Sequence, residues 1–97
     1  MALKALLLRK KIELKKQDRA ALETRKADLE KREAELVISI EEVSSEEDQA
    51  VVQESVDALI EEKEKLEESV AEIDAVIEAL ETELAAAREY IARMDHE

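Results

Sequence analysis

The stretch from Val56 to Leu84, VDALIEEKEKLEESVAEIDAVIEALETEL, carries its apolar residues at alternating spacings of three and four. Continued in both directions, that spacing joins Val52, Val56, Leu59, Lys63, Leu66, Val70, Ile73, Ile77, Leu80, Leu84, Ala87, Ile91 and Met94, and only Lys63 among them is polar. Such spacing puts the side chains on one stripe of a helix and marks a coiled-coil seam. With Val56, Lys63, Val70, Ile77, Leu84 and Ile91 at the a positions and Leu59, Leu66, Ile73 and Leu80 at d, Lys63 is the single polar a residue, a device that fixes register.

Upstream the same rhythm is weaker. Leu8, Ile12, Lys15, Arg19, Leu22, Lys26, Leu29, Glu33, Leu36, Ile40 and Val43 keep the spacing, but the middle of this stripe is charged. Lys and Arg can lay their methylene stems along a neighbour with the charge in water, so the stripe still serves as a packing face. The two stripes are out of phase. Seven residues beyond Val43 is Ala50, whereas the second stripe has its equivalent at Val52, a slip of two that neither a stutter nor a stammer produces. The break predicts a turn. Ser44 with Glu47 matches a capping box for a new helix, and Asp48 suits its positive end.

Composition agrees. The 97 residues include no Gly, Pro or Cys and a single aromatic, Tyr90, and Ala, Glu, Leu, Lys and Arg make up 63 of them. A sheet protein lacks its turn and strand residues here, so an all-α chain remains. The expected fold is a long antiparallel helical hairpin or coiled coil in one domain spanning 1–97, with a helix over about 3–42, a turn at 43–47 and a helix over about 48–94.

Charge supports the folding back. Residues 1–32 carry 11 basic and 5 acidic groups, and residues 33–97 carry 4 basic and 22 acidic groups, within a net charge of −12. Folding about residue 46 brings together residues whose numbers add to 92: Leu8 with Leu84, Ile12 with Leu80, Leu22 with Val70, Leu36 with Val56, Ile40 with Val52. It also sets Arg25 near Glu67, Arg32 near Glu61, Lys11 near Glu81 and Arg9 near Glu83. A parallel homodimer of the second helix would instead oppose Glu62 to Glu67 in a segment, 54–84, with twelve acids and two bases. The hairpin has its own deficit, because Lys15, Arg19, Lys26 and Glu33 face Ile77, Ile73, Leu66 and Leu59 and are expected to cover them poorly. The second-helix stripe, with Leu3, Leu7 and Leu14 as a further patch, is therefore expected to bind other copies of the chain.

Chemistry is sparse. No Gly-rich phosphate loop, Ser-His-Asp set or histidine pair at metal spacing occurs, and the one histidine, His96, reads as part of a polar tail. Glu46, Glu47 and Asp48 lack the alternating ligands and glycine of a calcium loop. No enzymatic role, cofactor or metal is expected. The apolar run Ala5 to Leu8 is too short for a signal peptide or membrane span, so a soluble, unexported protein is expected. The basic start has no interleaved aromatics and is answered by the acidic helix, so nucleic acid and membrane are not expected partners.

The opening MALKALLLRKKI (Met1 to Ile12), the stretch EKREAEL (Glu30 to Leu36), the Ser-Glu-Glu break and the heptads from Val56 together resemble the N-terminal segment of tailed-phage major capsid proteins, the Hong Kong 97-like family. The resemblance covers nearly the whole chain. It implies a delta, or scaffolding, domain that precedes a shell-forming domain, points into the procapsid, helps subunits into capsomers, and is removed by a maturation protease. The implied partners are other copies, the capsid shell domain and that protease, and the implied location is the procapsid interior in the host cytoplasm. A generic coiled-coil oligomerisation or adaptor module shares every physical feature above.

Overall fold

The structure, a computed structural model, describes residues 2–95, with side chains described through residue 93. It consists of two helices, α1 (Ala2–Glu41) and α2 (Glu46–Asp95), folded as an antiparallel hairpin with no strand among the described residues. Neither helix contains a residue that would break it, and Ala, Leu, Glu, Lys and Arg are strong helix formers. Their ends differ. α2 opens with Glu46, Glu47 and Asp48 and carries Arg93 in its last turn, both in accord with the helix dipole. α1 has no acid in its first turn and no base in its last, so it depends on packing rather than on its termini.

The connection occupies residues 42–45. Its construction corrects the sequence reading in one respect: the cap of α2 is Ser45, and the helix starts at Glu46 rather than near 48. The Ser45 carbonyl accepts the first helical hydrogen bond from the Gln49 amide at 3.0 Å, and its hydroxyl oxygen accepts from the Asp48 amide at 3.2 Å. Ser44, expected to cap with Glu47, donates its hydroxyl to the Asp48 carboxylate at 3.4 Å instead. The sequence offers two overlapping frames, Ser44 with Glu47 and Ser45 with Asp48. The second places all three acids at the first three helical positions, where the dipole favours them most. At the other side of the turn, the Glu42 amide still bonds to the Ile38 carbonyl at 3.1 Å, and the Val43 amide tightens to the Ile40 carbonyl at 3.3 Å. No described residue takes a positive φ, which is why the turn does without glycine.

The chain forms two compact units, residues 2–21 with 70–95, and Leu22–Ser69. In the first, Ala5, Leu8, Ile12 and Leu84 form a buried cluster against which Leu80, Ala87 and Ile91 pack. Leu8 and Leu84, Ile12 and Leu80, and Ala5 and Ala87 share the sum of 92 expected from the two stripes. In the second unit, Leu29, Leu59 and Leu66 are buried, with Leu22, Leu36, Val43, Val52 and Val56 half-buried. Ile40 is the exception among the apolar members of this stripe, half exposed beside the turn.

The cap assignment predicts unequal effects of two neighbouring substitutions. Ser45→Ala should lower stability by about 1 kcal/mol, while Ser44→Ala should stay within about 0.5 kcal/mol; urea unfolding followed by circular dichroism measures both. A larger loss for Ser44→Ala would return the cap to that residue.

Candidate self-association surface

The eleven residues of the second-helix seam, Val52, Val56, Leu59, Lys63, Leu66, Val70, Ile73, Ile77, Leu80, Leu84 and Ile91, are all buried or half-buried in the chain. The seam is thus the interface through which α2 meets α1 of its own chain. Of the other expected positions, Ala87 is half-buried, while the Met94 side chain and His96 lie outside the described residues.

One expectation is corrected. Leu59 and Leu66 were to be left poorly covered by Glu33 and Lys26, yet both are buried, and Leu29 between them on the facing stripe is only 2 % exposed. The reason lies in what the charged seam residues do. Lys63 does not leave a polar gap in the seam; its Nζ donates to Glu33 Oε2 at 2.9 Å. Each of the two half-exposed side chains has a long stem able to cover leucine while the paired heads stay at the water boundary. In the first unit the shortfall persists, with Ile73 and Ile77 only half-buried where Arg19 and Lys15 face them.

The interhelical ion pairs also differ in detail from the expected set. They join Lys16 to Glu81 at 3.4 Å, Arg19 to Asp74 at 2.9 Å, Arg32 to Glu62 at 2.7 Å and Lys63 to Glu33 at 2.9 Å. Arg32 takes Glu62 in place of Glu61, and Glu81 is taken by Lys16 in place of Lys11; Arg25 with Glu67 and Arg9 with Glu83 do not pair. The numbers of the observed partners add to 97, 93, 94 and 96, always more than 92. Side chains lean toward the N-terminus of their own helix, so in an antiparallel pair two charged heads meet only when both residues start further along their chains. The apolar stems near the axis feel this little, which is why the 92 rule holds for the leucines and not for the ions. These exposed pairs select alignment more than they stabilise, because water screens the attraction and ordering two long side chains offsets much of it.

Lys63 holds its proton more tightly than an ordinary lysine. The hydrogen bond to Glu33 is the main cause, partial desolvation opposes it, and the charges of Glu33, Glu67 and Glu30 add to it.

Apolar side chains also lie outside the seam. The first unit exposes Leu3, Leu6, Leu7, Leu14, Val76 and Tyr90, and the second exposes Val37, Ile38, Ile40, Val51 and Ile60. Leu3, Leu7 and Leu14 are anticipated by sequence. Leu6, Val37, Ile38, Val51 and Ile60 are not, because they belong to no 4-3 stripe, whereas Ile40 belongs to one and stays half exposed beside the turn. Ala5 was missed in the core although it lies seven residues before Ile12, since a small side chain gives a weak signal. An open groove in the first unit is lined by Lys4, Glu83, Ala86, Ala87, Tyr90 and Ile91. No helix is long and apolar enough to cross a membrane among the described residues.

Comparisons with protein-family profiles, with curated proteins and with solved structures give no match to this chain.

Two measurements probe this interface. Leu29→Ala should cost about 2–5 kcal/mol of stability, against at most about 0.5 kcal/mol for the exposed Leu7→Ala. The raised Lys63 pKa sets the sign of a pH effect: the stabilisation by Glu33 is complete below the ordinary lysine range and disappears as pH rises through the higher folded value. Unfolding of the wild-type chain and of Glu33→Gln across the alkaline range should therefore show their stability difference shrinking as pH rises. A difference independent of pH would remove the pair from the account.

Proposed function

We propose that this chain is a capsid-assembly scaffolding domain, which gathers copies of itself through coiled-coil helices while a shell forms and is then removed by a maturation protease. The observation that carries the reading is the division of its apolar side chains. The seam is thin and consumed within the hairpin, while leucines 3, 6, 7 and 14 remain outside it. A small α-helical chain with leftover apolar surface gains by weak, reversible association with many neighbours, the property a transient scaffold requires. The resemblance of Met1 to Ile12, Glu30 to Leu36 and the Ser45-Glu46-Glu47 break to the N-terminal segment of Hong Kong 97-like capsid proteins supplies the rest of the reading. On it, the shell domain and the protease are further partners, and the domain works inside the procapsid in the host cytoplasm. The acid excess of α2 suits a segment that is removed before DNA enters, since it would repel the phosphate backbone.

The test is expression of the complete reading frame that encodes this segment, together with any protease gene beside it, followed by electron microscopy of the particles. Closed shells of uniform size should form with the wild-type segment, and aberrant or no shells with Leu84→Glu, which puts a charge into the buried cluster. A reading frame without a shell domain, or normal shells from the variant, would favour the generic coiled-coil adaptor instead.

A further inference from the structure

Two groups of exposed apolar side chains have opposite electrostatic surroundings. In the first unit, Leu3, Leu6, Leu7 and Leu14 are 47–77 % exposed. At 100° per residue they point to the side of α1 opposite Ala5, Leu8 and Ile12, so this segment is apolar on both faces. Lys10 stands among them, and Lys4 and Lys11 border them. Residues 2–16 hold six bases and one acid, and Lys4, Arg9 and Lys11 make no ion pair among the described residues.

In the second unit, the hairpin beside its turn carries an open groove lined by Ile40, Val43, Gln49, Val52, Gln53 and Val56, with no charged residue in the lining. The same segment exposes Val37, Ile38 and Val51. Residues 35–51 hold six acids and no base, and none of those acids makes an ion pair among the described residues. One surface is leucine-rich and basic, the other is an apolar groove in acidic surroundings. Each has what the other lacks.

We propose that the groove beside the turn receives the opening segment of α1 from a second copy of this chain, so that copies join head to tail. Leu3, Leu7 and Leu14 have the spacing of anchors with which a helix lies in an apolar groove. Lys4, Arg9, Lys10 and Lys11 then meet Glu41, Glu42, Glu46 and Glu47, which steers the encounter and disfavours two basic segments pairing with each other. Because each copy offers two different surfaces, the contact is heterologous, and it continues into a ring or an open chain rather than closing as a twofold dimer. Three leucines in a shallow groove fall short of the roughly 800 Å² per partner of a stable complex, so single contacts are weak. The inference rests on the self-association reading and specifies the surfaces that perform it.

Sedimentation velocity of the full chain over a range of concentrations provides the test, with helix content checked by circular dichroism. One variant carries Leu7→Glu and Leu14→Glu, the other Glu41→Lys and Glu42→Lys; all four positions are exposed, so both should keep their helices. The wild-type mass should grow with concentration, and the midpoint should rise at least about tenfold between about 50 mM and about 500 mM salt. Each variant alone should stay monomeric at concentrations at least about tenfold higher, and their equimolar mixture should form a dimer of one of each, because one keeps the groove and the other keeps the leucines. If the wild type associates and either variant associates equally well, or if the mixture is not restored, head-to-tail docking is wrong while self-association stands. A wild type that is monomeric throughout removes both. Binding of the monomer to vesicles containing phosphatidylserine, lost in the leucine variant, would assign the basic leucine face to a lipid surface and overturn the docking.

Discussion

The constraint on which everything else depends is that one narrow stripe per helix must supply the whole apolar interior. With no phenylalanine or tryptophan, and with two helices among the described residues, the chain has chiefly leucine, isoleucine, valine and alanine to bury, and seven of the described residues are well buried. Burying a leucine or isoleucine side chain is worth roughly 1.5–3 kcal/mol, so each seam position matters and each charged residue in the stripe has to be accommodated. The molecule does this at Lys63 by pairing it with Glu33 across the hairpin, which keeps both charges hydrated while Leu29, Leu59 and Leu66 close behind them. Where the facing stripe offers Lys15 and Arg19, the isoleucines stay half covered.

The hairpin was legible in the sequence because two independent signals, the 4-3 stripes and the order of charge, lead to the same alignment. Either alone is ambiguous: a stripe of leucines fits a parallel dimer as well, and a basic segment fits nucleic acid. What sequence did not yield was finer. The choice between Ser44 and Ser45 as cap turns on where three acids fall relative to the first helical turn, and adjacent serines conceal it. The ion-pair partners were displaced because a register rule counts Cα positions, while long side chains lean along their helices. Leu59 and Leu66 are buried more deeply than the charged residues facing them suggest, because the stem of such a residue is hydrocarbon.

The surface outside the seam was the least legible part. Leu3, Leu7 and Leu14 stand out in a basic segment, but Ile40, Val43, Val52 and Val56 gain their second meaning only when the turn brings their segments together around one groove. The 4-3 stripes mark these four only as seam positions and do not show that beside the connection they line an open groove.

The placement of the turn has a kinetic side. Leu36 and Val56, beside the connection, can be brought together by closing a short loop, whereas Leu8 and Leu84 must close one several times longer, and closure entropy rises with the logarithm of loop length. Pairing that starts at the Ser45 cap and proceeds like a zip avoids paying that larger cost in a single step. The leucine-rich opening of α1 is then the last part of the hairpin to be gathered in, and during synthesis its buried face stays without its partner until the far end of α2 has emerged.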